Sequence, residues 1–160
     1  MKNLSVVIIA VSSLFLTFIS SAATSEVTWT NSDKYRDVHA GDGHRAKFKA
    51  RVFAKFEEHF AGLAEKLPEG QTLLIDVKDV DLAGDVHQNM RRIRVIKDIF
   101  FPRIEFSYQV VDSNKNVIIS GDVDLKDMGF MMGANLRYNQ DSLGYEKKML
   151  DEWFSKTFSL

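Results

Sequence analysis

Residues 104–125 read IEFSYQVVDSNKNVIISGDVDL, an apolar alternation that a polar turn interrupts once. Its two halves place apolar residues at alternate positions, with Gly121 in register: Ile104, Phe106, Tyr108 and Val110, then Val117, Ile119, Val123 and Leu125. Residues 112–116 have the composition of a turn, and Pro102 precedes the first strand. The pattern predicts an antiparallel β-hairpin with one buried face.

Amphipathic helices are predicted on either side of this hairpin. Over residues 44–67 the apolar residues recur at steps of three or four: Val52, Phe56, Phe60, Leu63 and Leu67. Asp42 is the predicted N-cap, and Pro68 to Gly70 end the helix. A second helix is predicted over residues 142–157, with Asp141 or Ser142 as the cap and one apolar side: Leu143, Leu150, Trp153 and Phe154.

Shorter alternations predict the remaining strands. Residues 26–30 and 73–77 alternate, with a change of phase that predicts a bulge or the end of the strand near Asp79. Residues 93–96 are a further short strand, and residues 85–90 are predicted to form a turn. The order of these elements predicts an α+β fold, a mostly antiparallel sheet of about four to five strands with two amphipathic helices packed on one face.

The N-terminus has the pattern of a signal peptide over residues 1–23. Lys2 precedes a mostly apolar stretch, residues 4–19, and Ser21-Ala22-Ala23 supplies small residues before a cleavage site at Thr24. An uncleaved signal anchor is the alternative. Residues 24–160 are then a single domain, and we expect a periplasmic protein without a membrane span after cleavage.

Composition excludes several classes of function. Removal of residues 1–23 takes away only Lys2, which leaves 20 basic against 22 acidic residues, so a general nucleic-acid binder is not expected. The chain has no Cys, which excludes disulfides, thiolate metal sites and a Cys nucleophile. No nucleophile elbow or phosphate-binding loop occurs. We therefore predict no catalytic residue and no cofactor.

Cations are concentrated in the first half of the first helix. Lys47, Arg51 and Lys55 are spaced at i, i+4 and i+8, so they share one face, here called the basic face. Positive charge at a helix N-terminus opposes the helix dipole. This layout favours contact with an anionic ligand, envelope component or envelope protein. A solvated face that pairs with nearby acids is the alternative.

Two further groups are candidate contact regions. Phe130, Met131 and Met132 stand between glycines and form either an adaptable contact surface or a plug for the core. A second basic group either pairs with upstream aspartates or faces a ligand: Arg91, Arg92, Arg94, Lys97 and Arg103.

Metal binding has only weak candidates. One is the group Asp79, Asp81, Asp85 and His87, which lacks the spacing of an EF-hand. The other is the segment His39 to His44 with Asp42, which lacks a zinc motif. We predict no metal site, and a small metal-dependent hydrolase that uses these residues is the alternative function.

Three segments carry a family resemblance: Val27–Val38, Lys126–Met132 and Tyr145–Phe154. They resemble a family of exported Gram-negative bacterial proteins catalogued as domain of unknown function 3016. The resemblance implies an exported single-domain protein and assigns no site residue. We expect a non-catalytic binding or accessory protein of the cell envelope. A subunit that pairs through an edge strand is a further alternative.

Overall fold

The computed structural model describes residues 22–39, 41, 44–88, 92–132, 138 and 140–159. Within these ranges, residues 87, 88 and 92 are described by their backbone alone. The elements follow in the order β1 (Thr24–Trp29), a 3-10 turn (Ser32–Lys34), α1 (Arg45–Ala64), β2 (Thr72–Asp81), β3 (Asp85–Gln88), β4 (Arg92–Val95), β5 (Arg103–Val111), β6 (Val117–Lys126) and α2 (Gly144–Phe158). The predicted signal peptide lies outside the described residues except for Ala22 and Ala23. No helix in the described part of the chain has the length and apolar character needed to cross a bilayer.

The main sheet has four strands in the order β1-β2-β5-β6. The predicted hairpin is confirmed, because β5 and β6 are antiparallel with Phe106 opposite Val123. The predicted bulge is confirmed between Val77 and Asp79. The sheet is nevertheless mixed, since β1 runs parallel to β2. A helix joins these two strands and carries the chain back to the same end of the sheet, which allows parallel pairing.

Both helices pack on one face of this sheet, as predicted. The ring of Phe106 lies edge-on to Phe60 of α1 at 6.0 Å and to Trp153 of α2 at 4.9 Å. Positions that alternate with these core residues form the opposite, polar face, which includes Thr28, Asp76 and Ser107. Burial of the apolar face against two helices is the main source of stability.

One predicted turn is wrong. Asp85–Gln88 is a strand, which pairs antiparallel with β4 so that Asp85 faces Val95 and Gln88 faces Arg92. A strand this short has too few alternating apolar residues to be recognised from its own sequence. The strand predicted over residues 93–96 is confirmed as β4, shifted by one residue.

The predicted helix caps also need correction. His44 is the N-cap of α1 and makes no side-chain capping bond, while Asp42 lies outside the described residues. Leu143, not Asp141 or Ser142, is the N-cap of α2. Asp141 instead accepts a hydrogen bond from the N–H of Leu143 at 3.0 Å, which helps to position the start of the helix.

Candidate functional site

The basic face divides into free and paired cations. Lys47 and Arg51 are exposed, and neither forms an ion pair with any described residue. The guanidinium of Arg51 lies 5.5 Å from the ring centre of Phe48. Lys55 is half-buried and donates to Asp141 and Ser142, both at 3.1 Å. Pairing with an acid, as in the alternative interpretation, is present for Lys55, whereas Lys47 and Arg51 are solvated and have no acidic partner among the described residues.

Asp141 is the acid that holds Lys55 at the start of α2. Burial alone raises the pKa of this carboxyl, but hydrogen bonds from Lys147, the N–H of Leu143 and Lys55 outweigh it and hold the pKa far below its usual range. Asp141 is therefore ionised throughout the physiological range. It neutralises part of the positive charge at this side of α1.

The second predicted contact surface also divides. Phe130 is only 2% exposed and packs edge-on against Tyr145, with 4.7 Å between the ring centres. Met131 and Met132 are 50% and 85% exposed. The segment is thus a plug at Phe130 and an exposed apolar loop at the two methionines. We call Met128–Met132 the methionine loop; Met128 is also exposed.

A cavity lies beside the basic face and close to the methionine loop. It has a volume of about 590 Å³ and lies between α1, α2 and the chain around β4, and we call it the helix cavity. Arg51 and Lys55 of the basic face line it, as does Tyr145, on which Phe130 packs. The rest of its wall is mostly apolar and includes Phe48, Val52, Leu82, Ile96 and Leu143. A volume in this range suits a small organic ligand.

Glu146 is the least expected residue of the cavity wall. It is 1% exposed, and its Oε1 accepts a hydrogen bond of 2.7 Å from the N–H of Ala83. Its Oε2 is buried and has no hydrogen-bond partner among the described residues. Burial raises the pKa of this carboxyl, and the Ala83 bond and the charge of Arg94 offset the rise only in part.

Arg94 fixes the opposite part of the wall. Its Nη1 donates to the carbonyl oxygens of Leu82, Ala83 and Gly84, the last at 2.8 Å. Its Nη2 donates to the carboxylate of Asp37 at 2.9 Å. Nε of Arg94 is buried without a partner among the described residues. Arg94 therefore joins the loop between β2 and β3 to the segment around Asp37 while one of its N–H groups stays unsatisfied.

A second cavity lies on the other side of Asp37. It has a volume of about 780 Å³, and its wall is more polar: Arg36, Asp37, His39, Arg45, Asp81 and Asp85 belong to it. Arg36 forms long ion pairs with Asp79 and Asp81, at 3.9 and 3.8 Å. Burial raises the pKa of the Asp81 carboxyl, and the nearby charge of Asp37 adds to the rise.

The candidate metal residues do not form a cluster among the described side chains. No group of three or more His, Asp or Glu side chains in that part of the chain is arranged to hold a metal ion. The side chain of His87 and all of Asp42 lie outside the described residues. Asp85, His39 and Asp81 line the second cavity, where Arg36 contacts Asp81.

Sequence reasoning missed Glu146, although a signal for it exists. Leu143, Glu146, Leu150 and Trp153 follow one another at steps of three or four, so Glu146 occupies a position on the apolar stripe of α2. A carboxyl at such a position is rarely buried without a role or a partner. Arg94 was part of the second basic group, but its partner Asp37 was not among the aspartates considered.

Replacement of Glu146 by glutamine tests the burial of this carboxyl through the pH dependence of stability. A folded-state pKa above the usual value of 4.5 means that the native state holds its proton more tightly than the unfolded state. The stability that this carboxyl contributes is fully present below pH 4.5 and is lost as the pH rises through its raised folded-state pKa. Glu146→Gln lacks this pH-dependent contribution. Relative to their difference at pH 4, the free energy of unfolding of the variant, measured with urea, should therefore exceed that of the wild type by more and more towards pH 8.

Glu152→Gln is the matched control, because Glu152 lies on the same helix with an exposed side chain. Its stability should change with pH in parallel with the wild type. All other titrating groups contribute equally to the wild type and to Glu146→Gln, so their contributions cancel in the difference between the two free energies of unfolding. A Glu146→Gln curve that also runs parallel to the wild type between pH 4 and pH 8 contradicts the raised pKa.

The fold and the site together define a small α+β domain with a ligand-sized cavity between two helices and one sheet. The chain belongs to the family described as protein of unknown function, DUF3016, whose model matches residues 23–156. This match confirms the resemblance found in the sequence. No curated protein and no solved structure matches the chain.

Proposed function

We propose that this protein is an exported, non-catalytic binding protein of the periplasm whose basic face contacts anionic phospholipid. One observation carries the proposal. Lys47 and Arg51 are exposed and unpaired among the described residues, and Arg51 stands at the wall of a cavity large enough for a ligand. Unpaired cations beside a cavity attract an anionic group and hold it there.

The charge layout of α1 supports a role in binding, because it does not stabilise the helix. The first turn of α1 has no acidic residue, and its last turn has no basic residue. The dipole acts mainly within the first turn, so Arg45 and Lys47, both exposed, each cost about 0.3–1 kcal/mol relative to the reverse order. The layout is better explained by contact with an anion than by the stability of the helix itself.

The methionine loop supports a membrane surface over other anionic partners. It lies next to the helix cavity through the Phe130–Tyr145 contact and exposes apolar side chains. Cations combined with exposed apolar side chains suit the boundary between phospholipid headgroups and acyl chains. An anionic glycan would make use of the cations and leave the methionines without a partner.

Export is supported by the N-terminal pattern and is compatible with the fold. The predicted cleavage site precedes Thr24, which is the first residue of β1. Cleavage there removes no part of the described sheet. Mass spectrometry of the protein from fractionated cells tests the proposal: we expect a chain that starts at Thr24 in the periplasmic fraction, and an intact Met1 in the cytosolic fraction overturns it.

Removal of two cations should weaken binding to anionic vesicles. A Lys47→Gln/Arg51→Gln double variant is expected to bind vesicles of phosphatidylglycerol and phosphatidylethanolamine about thirtyfold more weakly than the wild type. Each cation near such a surface contributes about 1 kcal/mol, which together gives this factor. Co-sedimentation at low and moderate salt measures the effect, and added salt should reduce wild-type binding.

Lys34→Gln/Lys156→Gln is the matched control, since both lysines are exposed and lie away from the helix cavity. It removes the same charge and should bind almost as the wild type does. An equal loss in both double variants shows only general charge attraction and contradicts the basic face. Met132→Ser should weaken binding without changing its dependence on salt.

A subunit role through edge pairing is a second candidate, because β6 is an edge strand with exposed apolar residues at its start. Val117 and Ile118 are 54% and 53% exposed. An exposed apolar edge favours pairing with another strand. Analytical ultracentrifugation tests this: self-association that Ile118→Lys abolishes supports edge pairing, and a monomer at high concentration opposes pairing between copies.

A further inference from the structure

Two residues that line the helix cavity each carry one unsatisfied polar atom. Nε of Arg94 is a hydrogen-bond donor, and Oε2 of Glu146 is an acceptor when the carboxyl is ionised. Both atoms are buried, and neither has a partner among the described residues. Both residues line the helix cavity. Leaving such a donor and acceptor buried without partners is unfavourable, so the pair marks a place where a polar group is missing.

A hydroxyl group satisfies both atoms at once. Its oxygen accepts from the N–H of Arg94, and its hydrogen is donated to Glu146. An ammonium group has no lone pair for Arg94, and a carboxylate has no hydrogen for Glu146 and is repelled by it. A neutral hydroxyl, either of water or of a ligand, is therefore the group that fits this place.

The remaining wall describes the rest of such a ligand. Phe48, Val52, Leu82 and Leu143 surround an apolar body. Arg51 is exposed and lines the cavity, so it marks the side open to solvent, whereas Glu146 is buried and marks the inner side. An anionic group near Arg51 and a hydroxyl near Glu146 would thus stand at opposite ends of an apolar chain.

We propose that the helix cavity binds a small amphiphile, with a hydroxyl group between Arg94 and Glu146, an apolar chain along the cavity and an anionic group at Arg51. This ligand class deepens the proposed function and depends on it only for the anionic end. The inner hydroxyl site rests separately on the two unsatisfied atoms.

Titration calorimetry with 8-hydroxyoctanoate and octanoate tests the hydroxyl site. Both probes share the anionic end and the chain length, and they differ by one hydroxyl group. Two hydrogen bonds to charged partners predict that 8-hydroxyoctanoate binds about tenfold more tightly. Equal affinities, or no binding of either probe, overturn the proposal. A crystal structure with 8-hydroxyoctanoate that shows only water between Arg94 and Glu146 overturns it as well.

A third probe and one variant assign the effect to Glu146. The ether oxygen of 8-methoxyoctanoate accepts a hydrogen bond and cannot donate one, so the wild type should bind it no better than octanoate. In Glu146→Gln the amide N–H₂ takes the place of Oε2 and donates, so the preference for the hydroxyl over the methoxy probe should disappear. A preference that persists in the variant contradicts the role of Glu146.

The variant Ile96→Trp separates the cavity from the vesicle surface. Ile96 is 39% exposed, lines the cavity and lies outside the basic face, so tryptophan there should block all three probes and leave vesicle binding unchanged. If vesicle binding does not depend on Lys47 and Arg51, the proposed function is wrong. If vesicle binding is retained but the preference for the hydroxyl probe is absent, the proposed cavity ligand is wrong.

Discussion

Replacement of Gly84 by alanine is expected to lower the free energy of unfolding by about 2–6 kcal/mol. Gly84 has a φ of +82°, a conformation that costs a residue with a Cβ about 1–3 kcal/mol. The added Cβ would lie 2.6 Å from the carbonyl oxygen of Val95, which is backbone and cannot turn aside. Overpacking of this kind costs about a further 1–3 kcal/mol. Urea unfolding followed by tryptophan fluorescence measures the change.

Gly62→Ala is the control for this variant, and its expected effect has the opposite sign. Gly62 lies inside α1, and a Cβ there would meet no atom within 4 Å. Alanine should stabilise the helix by about 0.5–1 kcal/mol. If Gly84→Ala unfolds at the same urea concentration as the wild type, the close approach of Gly84 to Val95 is wrong.

Replacement of Arg94 by glutamine is expected to cost about 3 kcal/mol or more. The change leaves Asp37 without its ion partner and removes the donor to the carbonyl oxygens of residues 82–84. Removal of one member of a buried ion pair costs about 3–5 kcal/mol, because the remaining charge stays desolvated. Arg94→Lys should recover only part of the loss, since one ammonium cannot replace both nitrogens of the guanidinium.

Arg36→Gln is the matched control for Arg94. Arg36 also pairs with aspartates, but its side chain is half exposed and the pairs are long. Its loss should change stability by less than about 1 kcal/mol. Similar effects of Arg36→Gln and Arg94→Gln in urea unfolding contradict the view that Arg94 is the structural centre of this region.

Gly84 and Arg94 act on the same stretch of chain, so their effects should not add. The Gly84 carbonyl accepts from Arg94, and the adjacent Ala83 N–H donates to Glu146. A double variant should lose less stability than the sum of the two single variants, as is usual for residues that share partners. The same stretch forms one side of the helix cavity, so either variant should also reduce the preference for the hydroxyl probe.

Local periodicity predicted the elements that have long, regular patterns. The alternation over residues 104–125 specified β5 and β6, and the apolar stripe from Val52 to Leu63 specified α1. The predicted buried face is present along β5, but on β6 only Val123 and Leu125 are partly buried, while Val117 and Ile119 are exposed at the edge of the sheet. These patterns report which side of an element is buried. The i, i+4 and i+8 spacing also placed the three cations of the basic face on one side of α1, although it did not show which of them pair with acids.

The tertiary structure alone decided how these elements meet. The strand Asp85–Gln88 is too short to show a period in its own sequence. Two further features join residues that are distant in the chain: the parallel pairing of β1 with β2 and the ion pair between Arg94 and Asp37. The approach of Glu146 to Arg94 in one cavity is of the same kind. Periodicity along a sequence describes the neighbours of a residue on its own element, whereas such contacts depend on the path of the chain between elements.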